Sequence, residues 1–127
     1  MTAAKILIVD DEPFNVDYLE QELEDSNFQL IAAVNGQDAL EKVHSESPDL
    51  ILLDIMMPRM DGYEVCQRLR SDALLKDVRI IMLTAKGREV EREKGLALGA
   101  DLYITKPFST RQVVMKVKEI LAAKSGP

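Results

Sequence analysis

Apolar and polar positions trade places in a regular order along this chain. "KILIVD" (5–10) is a continuous apolar run with β-branched residues, the pattern of a strand covered on both faces. Pro13 then stands where a first helical turn tolerates it, and Val16, Leu19 and Leu23 recur at helical spacing up to about Ser26. "FQLIAAV" (28–34) predicts a second strand, punctuated by Asn35-Gly36. A helix through "QDALEKVHSE" follows, with Ala39, Leu40 and Val43 inward, and Ser47-Pro48 ends it. "DLILLD" (49–54) predicts a third buried strand, "YEVCQRLRS" (63–71) a third helix and "VRIIMLTA" (78–85) a fourth strand. "GREVEREKGLALG" (87–99) is weakly helical, with charges all round and Gly95 in its interior. "ADLYITK" (100–106) predicts a shorter fifth strand. "STRQVVMKVKEILAAK" (109–124) is the cleanest amphipathic helix: Val113, Val114, Val117, Ile120 and Leu121 form one stripe behind a Ser109 N-cap.

Strand and helix alternate five times with no repeat, low-complexity linker or second domain in the pattern, so residues 1–127 read as a single α/β domain. Apolar strands between helices imply a doubly wound, flavodoxin-like parallel sheet of five strands with five helices on its two faces. The common order for it is 2-1-3-4-5. The strands of such a sheet end along one edge, where ligands bind. Asp10-Asp11 close the first strand, Asp54 the third, Thr84 the fourth and Lys106 the fifth. In that order the first and third strands are neighbours, so three carboxylates converge beside a hydroxyl and an ammonium.

This convergence decides how "LILLDIMMPRMDG" (50–62) is read. An Asp at a strand end often only caps the next turn, and two adjacent Asp before a helix suit its dipole. Clustered carboxylates, however, repel one another and raise each other's pKa unless a cation intervenes. A hard cation with oxygen ligands answers that, and Mg2+ favours few protein ligands, several waters and phosphate oxygens. A carboxylate held beside Mg2+, a Thr hydroxyl and a Lys is a nucleophile suited to phosphorus, with metal and Lys neutralising charge on the transferring group. On this reading the apolar run holds Asp54 rigidly at the sheet edge. The loop after it offers the metal a backbone oxygen, and Asp61-Gly62 makes a polar turn.

Composition narrows the partners. The 127 residues are 46% hydrophobic and 30% charged, an ordinary globular balance. A net charge of −6 argues against direct nucleic-acid binding by this domain, which needs a basic face. The lone Cys66 excludes an internal disulfide framework, fits a reducing cytoplasm, and is expected to face the core. "MTAAKILIVDDE" lacks the basic start and small-residue cleavage site of a secretory leader, and no apolar run approaches the roughly 20 residues of a membrane span. A cytoplasmic protein without membrane contact is expected.

"ILIVDDE", "LILLDIMMPRMDGYEVC", "IIMLTA" and "YITKPFS" closely resemble the receiver domains of two-component response regulators, over about residues 5 to 123. The resemblance implies a phosphorylation-activated signalling switch that assists its own phosphorylation and dephosphorylation, not an enzyme acting on other substrates. Asp54 would be the phosphoacceptor, served by a sensor histidine kinase or a histidine phosphotransfer protein. Asp11 and Asp54 would bind Mg2+ with the backbone carbonyl of Met56, and Asp10 would act mainly through water. Thr84 and Lys106 would contact the phosphoryl oxygens, and Lys106-Pro107 would match the family's cis peptide. Tyr103 matches the aromatic switch position, turning inward when Thr84 moves toward the phosphate; by itself it reads as a half-buried strand aromatic. The fourth helix, fifth strand and fifth helix would report phosphorylation to a downstream protein or fused output domain, from a monomer or a weak phosphorylation-dependent dimer. Met56 and Lys86 would flank the path of water to the phosphorus. Neither is a general base near neutral pH, so both are expected to exclude that water rather than orient it.

The chain departs from the family in one respect. Many DNA-binding members carry two acids after the Gly-Ala of "GADLYITKPF" for salt bridges across a dimer; here Leu102 replaces the second, and Lys116 stands where an Arg is frequent. His44, the only histidine, lies on a polar helix and is not expected to be a phosphodonor. The alternative is a Mg-dependent aspartyl-phosphate hydrolase of haloacid-dehalogenase type. Its nucleophile lies in a DxD motif after the first strand, where this chain has "DDEP", and no cap domain is evident. A flavodoxin-like cofactor binder would need a Ser/Thr/Gly-rich phosphate loop there. A pure interaction module is opposed by the complete set of Asp10, Asp11, Asp54, Thr84 and Lys106.

Overall fold

Each apolar run becomes a strand of one parallel sheet in the computed structural model, which describes residues 4–24, 28–75, 77–85 and 87–125. The strands are β1 (Lys5–Val9), β2 (Gln29–Ala33), β3 (Leu50–Asp54), β4 (Arg79–Thr84) and β5 (Leu102–Thr105), in the order β2-β1-β3-β4-β5. Between and after them run α1 (Pro13–Glu24), α2 (Gly36–Glu46), α3 (Gly62–Ser71), α4 (Glu89–Ala97) and α5 (Thr110–Ser125). Ser26, Lys86 and the Val16 side chain, all named above, lie outside the described residues.

The apolar runs need no polar alternation because both faces of the sheet are covered. Leu7, Val9, Ile51, Leu53, Ile80 and Met82 share one core with residues of α2 and α3, among them Val43, Val65, Cys66 and Leu69. Their alternates Ile6, Ile8, Leu50, Leu52, Ile81 and Leu83 share the other with Leu19 and Leu23 of α1 and Val113, Val114 and Val117 of α5. Ile120 and Leu121 of the α5 stripe are only partly buried. Short polar side chains start the helices: Asn35 Oδ1 accepts the Asp38 N–H at 2.8 Å, and Ser109 Oγ accepts that of Gln112 at 3.4 Å.

All five strands are shorter than their patterns, and at the ends of β1 and β5 the reason is visible. β1 stops at Val9, and the Asp10 carboxylate accepts the Glu12 N–H at 2.9 Å, which turns the chain out of the sheet. β5 stops at Thr105, and the Lys106 N–H closes the ladder on the Thr84 carbonyl at 2.7 Å. It also begins late. Asp101 Oδ2 accepts the Ile80 N–H at 2.8 Å and an Arg70 N–H at 3.1 Å, while Oδ1 accepts from Arg79 at 3.3 Å. The one acid left after Gly-Ala is thus engaged within the chain, and Lys116 pairs with Glu119 at 3.3 Å. Asp101→Ala is expected to lower stability by about 1–3 kcal/mol, read as a lower urea midpoint at unchanged m-value. A midpoint equal to the parent's would show that these bonds do not stabilise the fold.

Candidate functional site

The register brings the strand ends together. Val9 pairs with Leu53, so Asp10 follows beside Asp54; Thr84 pairs with Thr105, so Lys106 follows at the same edge. This is where the strand order reverses, between β1 and β3. Asp54 is 6% exposed and Asp10 is also buried, while Asp11 faces solvent. One carboxylate oxygen from each of the three lies within 4.8 Å of the others. Lys106 Nζ stands 3.5 Å from Asp10 Oδ2 and 3.9 Å from Asp54 Oδ2. The Lys106-Pro107 peptide is cis, and the Lys106 N–H donates to the Thr84 carbonyl at 2.7 Å. Thr84 is fully buried, and the Met56 N–H donates to Asp54 Oδ1 at 3.2 Å. The donor set is all carboxylate oxygen, the kind a hard divalent cation takes.

The electrostatics differ from expectation in their ranking. Mutual repulsion of the acids is not the main effect. Burial is the first cause that pushes the Asp54 carboxyl up to about 6; Lys106 opposes it, and Asp10 contributes only after that. The apolar run that holds Asp54 in place also desolvates it.

Three further positions differ from the sequence reading or extend it. Asp61-Gly62 is not a free turn. Asp61 caps α3, with its Oδ1 accepting the Glu64 N–H at 2.9 Å, and the Gly62 N–H donates to the Ile55 carbonyl at 3.0 Å. A Cβ on Gly62 would stand 2.6 Å from the Asp54 carbonyl oxygen, so glycine is what lets α3 start directly beneath the acceptor strand. Tyr103 is buried rather than half-buried, and its hydroxyl is hydrogen-bonded to Tyr63. Burial is the first cause that holds the Tyr103 phenol above its ordinary range. His44 is exposed on α2 with its Nε2 3.5 Å from Asp72.

Residues 6–118 match the family model of the response regulator receiver domain. The chain belongs to this family. This receiver domain is 51% identical over 117 residues to PhoP, the alkaline phosphatase synthesis transcriptional regulatory protein of Bacillus subtilis (strain 168). That match covers 92% of the chain and 48% of PhoP, so the receiver domain spans about half the length of this relative. Its fold is similar to that of a CheY-like response regulator receiver domain protein of Methanospirillum hungatei JF-1, with a TM-score of 0.90, 32% identity, and 98% and 99% of the two chains covered. It is also similar to the BeF3-activated receiver domain of DrrB, with a TM-score of 0.86, 28% identity, and 94% and 98% covered. These matches give the hydrolase alternative no support. Among the described residues, no helix is long and apolar enough to cross a membrane.

Proposed function

We propose that this receiver domain acts as one unit over residues 1–127, as the phosphorylation switch of a cytoplasmic two-component system. Asp54 accepts the phosphoryl group from a histidine kinase or a histidine phosphotransfer protein. What carries this reading is the Asp54 carboxylate itself: buried at the sheet edge, 3.9 Å from the Lys106 ammonium, and grouped with two more acids within 4.8 Å. An ionised Asp54 oxygen attacks phosphorus in line. The O–P bond forms as the N–P bond of the phosphohistidine breaks, and the imidazole nitrogen keeps the electron pair and takes up a proton. Lys106 favours the ionised form of Asp54. It then meets the phosphoryl oxygens together with the Thr84 hydroxyl. Asp10, Asp11, Asp54 and the Met56 carbonyl would hold Mg2+, which supplies charge neutralisation at those oxygens. Thr84 and Tyr103 form the switch, and the face of α4, β5 and α5 reports it to a downstream protein or fused output domain, from a monomer or a weak phosphorylation-dependent dimer. The transcriptional role in the name of PhoP supports such an output for a larger protein.

Acetyl phosphate with Mg2+ is expected to add one phosphoryl group to the parent by intact mass and none to Asp54→Asn. An adduct that persists on Asp54→Asn would reject Asp54 as the acceptor. The lifetime of the phosphate is a separate matter. Met56 is 54% exposed beside the acceptor and offers water no hydrogen bond. The double variant Met56→Asn, Lys86→Glu is expected to lose phosphate several-fold faster, a barrier about 1 kcal/mol lower. First-order decay after removal of the donor measures this; equal or slower decay would show that these side chains do not gate the water.

A further inference from the structure

α4 is held by very little apolar burial. Gly95 alone of its described residues is buried, while Val90 and Leu96 face solvent. Gly95 lies flat on the sheet: a Cβ there would stand 2.8 Å from Met82 Sδ and 3.0 Å from Tyr103 Cδ2. Such a contact sets how closely the helix approaches. It does not set where the helix stops along its axis or how it is rotated, because helices interlock through side-chain ridges and glycine has none.

The stop comes from Tyr63, in the first turn of α3 and 5% exposed. Its hydroxyl donates to the Glu91 carbonyl at 3.1 Å, and Lys94 Nζ lies 4.3 Å from the centre of its ring, within cation–π reach. Glu91 and Lys94 are three residues apart and share one side of α4. The Tyr103 hydroxyl is bonded to the same tyrosine. On its other side, Tyr63 follows Gly62, which is packed on the Asp54 carbonyl and bonded to that of Ile55. One tyrosine therefore joins the strand end that carries Asp54 to the backbone of α4.

We propose that Tyr63 is the latch of α4: the Glu91 bond and the Lys94 contact hold the helix in this position, and α4 shifts on activation only as they open. This rests on the switch reading of Asp54 given above. A latch that stabilises the resting position opposes the activated one, so weakening it favours activation by up to the same factor.

Tyr63→Phe keeps the ring and removes the hydroxyl. Lys94→Gln removes the cation from an exposed side chain and leaves the core intact. In hydrogen–deuterium exchange of unphosphorylated protein, Tyr63→Phe is expected to speed exchange of the α4 amides about fivefold and Lys94→Gln about twofold, with α2 unchanged. BeF3 with Mg2+ is expected to bind Tyr63→Phe about threefold more tightly than the parent, a part of the same factor. Unchanged exchange in α4, or an equal rise in every helix, overturns the latch. Faster exchange confined to α4 with unchanged BeF3 affinity overturns its coupling to activation. If BeF3 binds neither parent nor variant, it is the reading of Asp54 that fails, and the exchange comparison still upholds or overturns the hold of Tyr63 on α4.

Discussion

Asp54→Asn is expected to melt at a higher temperature than the parent at pH 7 in metal-free buffer. Burial leads the causes that push this carboxyl from an ordinary 3.8 to about 6, and Lys106 only partly offsets it. A carboxyl raised in this way holds its proton more tightly in the folded state than in the unfolded one. It therefore costs the fold nothing below about pH 4, where both states are protonated; the cost grows as pH rises from about 4 to 6 and is complete above that. The rise to about 6 corresponds to about 3 kcal/mol. Asn has nearly the same shape and no charge, so it removes the cost. Thermal melts are expected to show a gain of up to about 3 kcal/mol at pH 7 that closes toward pH 4. Mg2+ held as proposed is expected to act in the opposite sense, stabilising the parent by about 2.7 kcal/mol at a hundredfold excess over its Kd and the Asn variant by less. Equal melting of the two proteins at pH 7, or a gap that does not narrow on acidification, would refute the argument from burial.

Gly62→Ala is expected to destabilise the fold by about 2–3 kcal/mol, whereas Gly95→Ala is expected to be near neutral. Both substitutions improve helix propensity by up to about 1 kcal/mol. They differ in what the new methyl meets. At Gly62 it meets main chain, the Asp54 carbonyl oxygen at 2.6 Å and Ile55 Cα at 2.8 Å, and neither can rotate away. At Gly95 the nearest atom, at 2.8 Å, is the sulfur of Met82, the far end of a flexible side chain, and α4, with Gly95 its one buried position among the described residues, can back off the Tyr103 ring at 3.0 Å. Steric cost wins at the first position, and gain and cost nearly cancel at the second. Because the clash falls on the Asp54 peptide, Gly62→Ala is also expected to slow phosphorylation by acetyl phosphate. Urea midpoints and phosphorylation rates check the two claims. A Gly62→Ala protein as stable as the parent would mean that α3 can back away from the acceptor strand.

The order of elements was legible because each run carries its own burial signal. "LILLD" reads as covered on both faces, and its five residues are buried on both. "REVEREKGLA" reads as a helix without an apolar stripe, and Gly95 is its one buried position among the described residues. The acids were legible for a similar reason. Parallel strands end on one edge, so placing Asp10, Asp54, Thr84 and Lys106 at strand ends was enough to assemble a site whose carboxylates lie within 4.8 Å. Strand limits were less legible. Asp10, Lys106 and Asp101 match the strand pattern around them, but the side chains of Asp10 and Asp101 take up N–H groups that the pattern does not show.

Local periodicity along the chain was therefore sufficient for the parallel sheet, its two covered faces and the gathering of Asp10, Asp11, Asp54, Thr84 and Lys106 at one edge. Tertiary structure alone decided what those residues experience. Asp54 is perturbed by desolvation before repulsion, because neighbours from several elements close over it. Asp101 serves Ile80 and Arg70, 21 and 31 residues away, in place of a strand. Gly62 is needed for an approach between α3 and β3, and Tyr63 reaches the Glu91 carbonyl across 28 residues. The physical reason is one of range. Periodicity records which side of an element is dry, a property each segment carries by itself, whereas close approach and hydrogen-bond partnership belong to pairs of segments and exist only once the elements are packed.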